Sequence, residues 1–454
     1  MKKNLLILLC LLFAIISCDD DKEKSPSEKQ LAALAYDAYV YAFAAVENNK
    51  AIGDLLADSP VNRFVGKTDL AGPEDLTVVT PNNDTYYAAA VLDLRAEPVV
   101  ITVPLIEDRY FSIQLVDIFT NCPDYIGSRS TGTGPGKYLV APSNWNDPIP
   151  LDLHVDDVIK VSSTIIYALA RTQAFSDPDE QAINIQKEYE ITPLSQLIET
   201  EPKVVDELNW PAVYDAKTGN IEDFFNMFNY MVQFYIQNNK DKKLMADYKV
   251  LGIKPGEVYD PTIFSQKQWE AIELGAESAR SRIEASTQEN SNAINGWTTS
   301  PENSGRWGDD YSTRSKVAWQ YIYVNTLEEA VYYTGLYDID GFILDASDAD
   351  YTITFPNGTL PTPEFFWSVT MYNKSGFLVE NDYSRYCLSS RMELESEDDG
   401  SIVMYIGKDL PKSGKTTNWL PAPDEQFYLV FRIYGPDEDT ISGKYSLPGV
   451  VKSH

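Results

Sequence analysis

Two stretches far apart in the chain constrain it most: Thr80 to Leu94, TPNNDTYYAAAVLDL, and Phe366 to Arg391, FWSVTMYNKSGFLVENDYSRYCLSSR. Each joins a polar turn dense in Asn, Asp or Arg to a run of alternating apolar residues. A period of two puts successive side chains on opposite faces of a strand, so each stretch predicts a sheet with one buried face. Short strands continue on both sides. Between Leu76 and Arg171, Val78, Ala88 to Leu94, Val99 to Val103, Tyr110 to Val116, Tyr138 to Ala141 and Val158 to Leu169 are punctuated by prolines. From Tyr351 onward, Tyr351 to Phe355, Phe366 to Tyr372, Ile402 to Ile406 and Phe427 to Tyr434 repeat the pattern. In the last of these, Phe427, Leu429, Phe431 and Ile433 share one face and Tyr428, Val430, Arg432 and Tyr434 the other.

Helical periodicity fills the rest. Ser25-Pro26-Ser27-Glu28 predicts a helix start, with Ser25 as cap and Glu28 completing a capping box. Leu31, Leu34, Ala38, Ala42 and Ala45 follow at helical spacing, and this helix is expected to pack on the first sheet. Ile221 to Tyr235 and Trp269 to Ile283 mark further helices. Gln288 to Gly305 is expected to be a linker or loop. Thr313 to Val324 reads as helical, and Thr326-Leu327-Glu328-Glu329 offers a second capping box. Together these predict an α+β chain of two antiparallel β-sandwich-like domains with a helical segment between them. The N-terminal β domain with its leading helix spans 28–175, the helical region 176–305, and the C-terminal β domain with its leading helices 306–454.

The start of the chain is an address. Lys2 and Lys3 precede the apolar run Leu5 to Ile16, which is shorter than the roughly 20 residues a spanning helix needs. Ile15-Ile16-Ser17-Cys18 resembles a bacterial lipobox, although Ile16 is bulkier than the Ala or Ser usual there. Residues 1–17 are thus expected to be a lipoprotein signal peptide, Cys18 the lipidated residue, and 18–27 an acidic tether. Asp19-Asp20-Asp21 resembles the signal that sends Bacteroidetes lipoproteins to the outer face of the outer membrane; a solvated spacer accounts for it equally well. A lipid anchor in the outer membrane, with exposure at the cell surface, is the expected location.

Composition removes several chemistries. The 68 acidic residues outnumber 37 basic ones, giving a net charge of −31. Such a field repels phosphate backbones, so nucleic acid is not an expected partner. His154 and His454 are the only histidines, which argues against Ser-His-Asp, Cys-His and His-rich zinc sites, and no metal site is predicted. Cys122 and Cys387, the cysteines left after Cys10 and Cys18, read as buried thiols rather than a disulfide. Gly127 to Lys137 and Ser413 to Thr416 suggest phosphate loops, but both lack the required glycine and the first is followed by a strand. Asp338-Ile339-Asp340-Gly341 lacks the further ligands of a calcium loop and reads as a tight turn.

Several multi-residue motifs carry a family resemblance. Thr80-Pro81-Asn82-Asn83-Asp84-Thr85, Leu92 to Leu94, Arg109-Tyr110, Asp117 with Asn121, and Pro193-Leu194-Ser195 resemble the bacterial family called domain of unknown function 1254. Phe366 to Tyr372, Gly376 to Val379, Arg385-Tyr386, Asn418 to Pro423 and Arg432 with Tyr434 resemble its regular partner, domain of unknown function 1214. The resemblance implies two β domains with a helical segment between them, and no settled activity or cofactor. Cys387 departs from it, in a turn where a thiol is unusual.

Candidate site residues follow from chemistry. Asp84 and Asp117 are the candidate catalytic carboxylates, able to act as general bases within hydrogen-bond reach of a substrate. Asn83, Arg109, Arg129, Arg314, Trp367, Arg385 and Trp419 are the candidate ligand-binding groups, suited to gripping carboxylates or sugar hydroxyls and stacking on a ring. Asx turns and backbone capping are the favoured account of the Asn82 to Thr85 run, with the site reading set against it. Three functions fit: a lipoprotein binding a small molecule or glycan in a cleft between β domains; a hydrolase or lyase using carboxylate, Tyr and Arg groups; or a structural or partner-binding surface protein.

Overall fold

The computed structural model describes residues 26–76, 79–149, 155–287 and 293–453. The signal peptide, Cys18, Ser25, Val78, His154 and His454 lie outside the described residues. The strands run in order as β1 (Val65–Gly66), β2 (Thr85–Asp93), β3 (Val99–Val103), β4 (Phe111–Val116), β5 (Tyr125–Gly127), β6 (Gly136–Pro142), β7 (Asp157–Val161), β8 (Ile165–Gln173) and β9 (Glu190–Pro193). The C-terminal half then supplies β10 (Trp297–Thr299), β11 (Ala330–Gly335), β12 (Asp350–Phe355), β13 (Phe366–Asn373), β14 (Cys387–Ser389), β15 (Ile402–Gly407), β16 (Trp419–Pro421), β17 (Phe427–Tyr434) and β18 (Val450–Ser453).

Two sheets form in each half. The first half pairs its strands as β1-β2-β8-β4-β5 and β7-β6-β3-β9, the second as β10-β11-β17-β13-β14 and β16-β15-β12-β18. Adding nine to each label of the first half gives the second. Neighbours are antiparallel except β6 with β7 and β15 with β16, which are parallel and again nine apart. The chain therefore uses one nine-strand plan twice. Register extends the equivalence to single residues: Arg171 lies opposite Tyr87 and Ser112, and Arg432 opposite Tyr332 and Ser368.

Alternation explains how each half is held together. Ala88, Ala90, Ile113, Leu115, Ile166, Ala168 and Ala170 of the first sheet share one apolar core with Val99, Ile101, Val140, Ile159 and Val161 of the second. Phe427, Leu429, Phe431 and Ile433 do the same against Ile353, Phe355, Met404 and Ile406. The opposite faces of both five-stranded sheets are left to meet each other through Tyr110, Ala330, Phe366 and Tyr434. Polar side chains of those faces lie along this boundary.

The described α-helices are α1 (Glu28–Asp58), α2 (Glu180–Lys187), α3 (Leu194–Leu197), α4 (Ile221–Val232), α5 (Asn239–Tyr248), α6 (Gln266–Thr287), α7 (Tyr311–Gln320) and α8 (Glu438–Ile441). Among the described residues no helix is long and apolar enough to cross a membrane. The core of α1 is shared with α4, α6 and α7, and it meets the first sheet chiefly at Val91 and Ile165. The expected packing on the first sheet is thus present but minor; the apolar residues of α1 cover nearly the whole circumference, so several helices are needed to bury them. Gly275 permits the close crossing of α6 over α1, because a Cβ there would collide with the Ala32 carbonyl.

Four expectations are corrected. The α1 cap is Ser27 with Gln30 closing the box, two residues later than read. Thr326 to Glu329 opens no helix: it is a turn into β11, whose residues alternate and pair with β17. Trp297 is buried in the second core, so the supposed linker contains β10 rather than only loop. Finally, β9 pairs with β3, and so residues assigned to the helical region complete an N-terminal sheet.

Candidate functional site between the two halves

Asp84 sits one residue before β2 and Glu329 one residue before β11, at equivalent places in the repeated plan. Arg129 and Arg391 are likewise equivalent, each two residues beyond its short strand, β5 or β14. The pairs are exchanged between halves. Asp84 Oδ1 accepts from Arg391 Nη2 at 2.5 Å, and Glu329 Oε2 from Arg129 Nε at 2.6 Å. Both carboxylates are buried, whereas both guanidinium groups reach the surface. The remaining acceptor sites are filled as well: Ser368 Oγ donates to Asp84 Oδ2 at 2.5 Å, and Tyr110 Oη to Glu329 Oε1 at 2.6 Å.

Between these pairs lie two more arginines. Arg432 donates to Thr370 Oγ1 at 3.0 Å, the Thr80 carbonyl at 3.0 Å and Tyr372 Oη at 2.8 Å. Arg171 donates from Nη1 to Gln114 Oε1 at 2.9 Å. Among the described residues neither makes an ion pair. Around Arg171 stand Tyr87, Tyr332, Tyr434 and Tyr110, drawn from both halves. Burial works against the Arg171 charge, and the tyrosines around it would offset that only in their ionised form. Burial holds Tyr332 and Tyr434 above the ordinary tyrosine value, so at neutral pH they are uncharged. Four guanidinium groups thus meet two carboxylates at this boundary, a positive region in an acidic chain.

Residues 61–193 match the family model described as protein of unknown function (DUF1254). Residues 329–438 match that of protein of unknown function (DUF1214). The DUF1254 region holds Asp84, Arg129 and Arg171, and the DUF1214 region holds Glu329, Arg391 and Arg432. No curated protein matches the chain. The crystal structure of the VPA0106 protein from Vibrio parahaemolyticus is similar in fold, with a TM-score of 0.73 and 24% identity over 93% of this chain and 100% of that one. A putative uncharacterized protein from Burkholderia cenocepacia has a TM-score of 0.44 at 11% identity, over 92% of this chain and 88% of that one.

The structure gathers only part of the expected site. Asp84 and Arg129 reach the boundary between the DUF1254 and DUF1214 regions. Asn83 instead donates to the Ala71 carbonyl at 2.7 Å. Asp117 is buried inside its own turn, accepting from the Phe119 and Asn121 amides at 2.9 Å and from Ser162 Oγ at 2.7 Å; burial raises its pKa. Arg109 pairs with Asp179 at 2.8 Å beside α2. Trp367 is packed on Phe431 in the second core. Arg385 donates to the Trp419 carbonyl, and Trp419 Nε1 to the Gly407 carbonyl, both at 3.0 Å. Arg314 lies apart, among the helices. Cys122 and Cys387 are both free thiols, the first buried and the second 3.7 Å from Asp84 Oδ1. Sequence reasoning missed Arg171, whose signal was a charge within the apolar run of β8, at a position facing away from the core.

Proposed function

We propose that this chain binds a small organic anion, carboxylate-bearing by class, between its two five-stranded sheets. Arg171 and Arg432 hold the charge, and Tyr87, Tyr332 and Tyr434 supply ring faces and hydroxyls around it. The observation that carries this reading is Arg171, a buried guanidinium that no carboxylate neutralises. A buried charge without a counter-ion is costly, by several kcal/mol, and an anionic ligand offsets that cost. The enzyme reading rests on Asp84, but both its oxygens are already engaged by Arg391 and Ser368, which favours a binding role. We read each half as β-sandwich-like, with the helices between and around them, and the whole as a lipoprotein tethered through Cys18 to the outer membrane. Thermal unfolding against panels of carboxylates, neutral sugars and amines tests the binding role. A carboxylate at a hundred times its dissociation constant should stabilise the fold by about 2.7 kcal/mol. Stabilisation by neutral sugars alone would overturn the choice of an anion, and labelling of Cys18 with a fatty acid tests the anchor.

A further inference from the structure

A cavity of about 200 Å³ lies among the helices and is lined by Tyr41, Asn121, Asp241, Asp309, Tyr311 and Arg314, among others. None of these residues belongs to the boundary between the sheets. Arg314 is 3% exposed and Asp241 6% exposed. The guanidinium spends Nη2 on the Tyr41 carbonyl at 2.6 Å, while its buried Nε has no hydrogen-bond partner. It lies over the rings of Phe119 and Tyr311, at 4.7 and 4.9 Å. The Asp241 carboxylate accepts from Tyr41 Oη at 3.1 Å, Tyr235 Oη at 2.7 Å and Asn238 Nδ2 at 2.6 Å. These neutral donors fix the carboxylate without neutralising it. Among the described residues neither Arg314 nor Asp241 makes an ion pair, although both face the same small space.

The buried Asp117 carboxylate, committed to its own turn, attracts Arg314 without pairing with it, and Asp241 faces Arg314 across the cavity, so each charge is only partly compensated. A simple anion placed there would meet Arg314 but be repelled by Asp241, whereas Asp309, nearer solvent, is paired with Lys240. A simple cation would face the opposite conflict. One molecule carrying both charges relieves both. We infer that this cavity is a ligand site for a small zwitterion, an α-amino acid by chemical class, with its carboxylate on Arg314 and its ammonium on Asp241. The Tyr311 and Tyr41 rings then border the side chain. Water in the liquid takes about 30 Å³ per molecule, so the space suits a ligand of only several heavy atoms. Burial pulls the Arg314 pKa below the ordinary arginine value, as expected of a guanidinium awaiting a partner.

The test is calorimetric titration of the full chain, in detergent, with L-alanine, propionate and ethylamine. L-Alanine should bind at least about tenfold more tightly than either single-charge analogue. Asp241→Asn should reduce L-alanine to the level of propionate, and Arg314→Lys should weaken it without abolishing the preference for a zwitterion. Equal binding of propionate and L-alanine, or no binding of L-alanine at millimolar concentration, would overturn the proposal. The comparison of the three probes on the unmodified chain decides the matter even where a variant fails to fold.

Discussion

The boundary between the halves contains two kinds of arginine, and they differ in what they are there to do. At its rim, Arg391 and Arg129 each meet a buried carboxylate from the opposite half. At its centre, Arg171 and Arg432 meet hydroxyls, amides and carbonyls but no carboxylate. The first kind ties the halves together: each half lends an acid to the other and borrows a base, so neither half satisfies its own charges alone. The second kind leaves positive charge in place at some cost to the fold. Groups retained against stability are candidates for function.

If this division is right, the rim carboxylates are the more costly to lose. Asp84→Ala should lower stability by about 3–5 kcal/mol in urea unfolding, since it strips a buried acceptor from Arg391 and Ser368 together. A loss below about 1 kcal/mol would show that Asp84 is not a tie between halves. Glu329→Gln should cost less, about 2 kcal/mol, because the amide oxygen can still accept from Tyr110. A loss from Glu329→Gln as large as that from Asp84→Ala would show that the Glu329 charge on Arg129, and not the retained acceptor for Tyr110, carries that tie.

A third compensated arginine, Arg109, lies within one half and allows a pH test. Burial would raise the Asp179 pKa, but the Phe175 and Ala182 amides and the Arg109 guanidinium outweigh it and hold the value below the ordinary carboxylate range. A depressed folded pKa contributes stability that is present above the unfolded value, about 3.9, and is lost as pH falls through the folded one. Asp179→Asn should therefore be less stable than the unmodified chain at pH 7, by about 1–2 kcal/mol. The gap should close only below about pH 4. A gap that persists unchanged into strong acid would mean that the pair contributes through shape rather than charge.

Much of the scaffold was legible in the sequence, because strand alternation reports directly on a buried face. The faces assigned to β17 are those found, with Phe427 to Ile433 in the core and Arg432 across from it. What the sequence hid were relations between distant positions. Asp84 and Arg391 are 307 residues apart, and Arg129 and Glu329 200 apart, so no local pattern announces either pair. The nine-strand repeat is hidden for a related reason: equivalent strands share their pairing partners and not their side chains, as FSIQLV of β4 and FWSVTMYN of β13 illustrate. Local signals misled where tertiary pairing overrode them. Thr326 to Glu329 has the composition of a capping box, yet Glu329 is drawn to Arg129 and the chain continues as a strand. Arg314 and Asp117 were picked out by residue type alone, and residue type does not say that one would face a cavity and the other a closed turn.

The smallest expected effect on stability is the most informative about function. Replacing Arg171 with Met removes an unpaired buried charge and keeps much of its apolar bulk, an exchange that is often neutral or stabilising. Against this stands the Gln114 oxygen left without its donor, at about 1 kcal/mol. The two terms nearly cancel, so Arg171→Met should shift stability in the absence of ligand by no more than about 1 kcal/mol. If the centre exists to hold an anion, the same variant should lose the whole stabilisation that a carboxylate gives the unmodified chain. A large loss of stability without ligand would instead place Arg171 among the ties of the rim, and an unchanged response to carboxylate would move the anion away from the centre altogether.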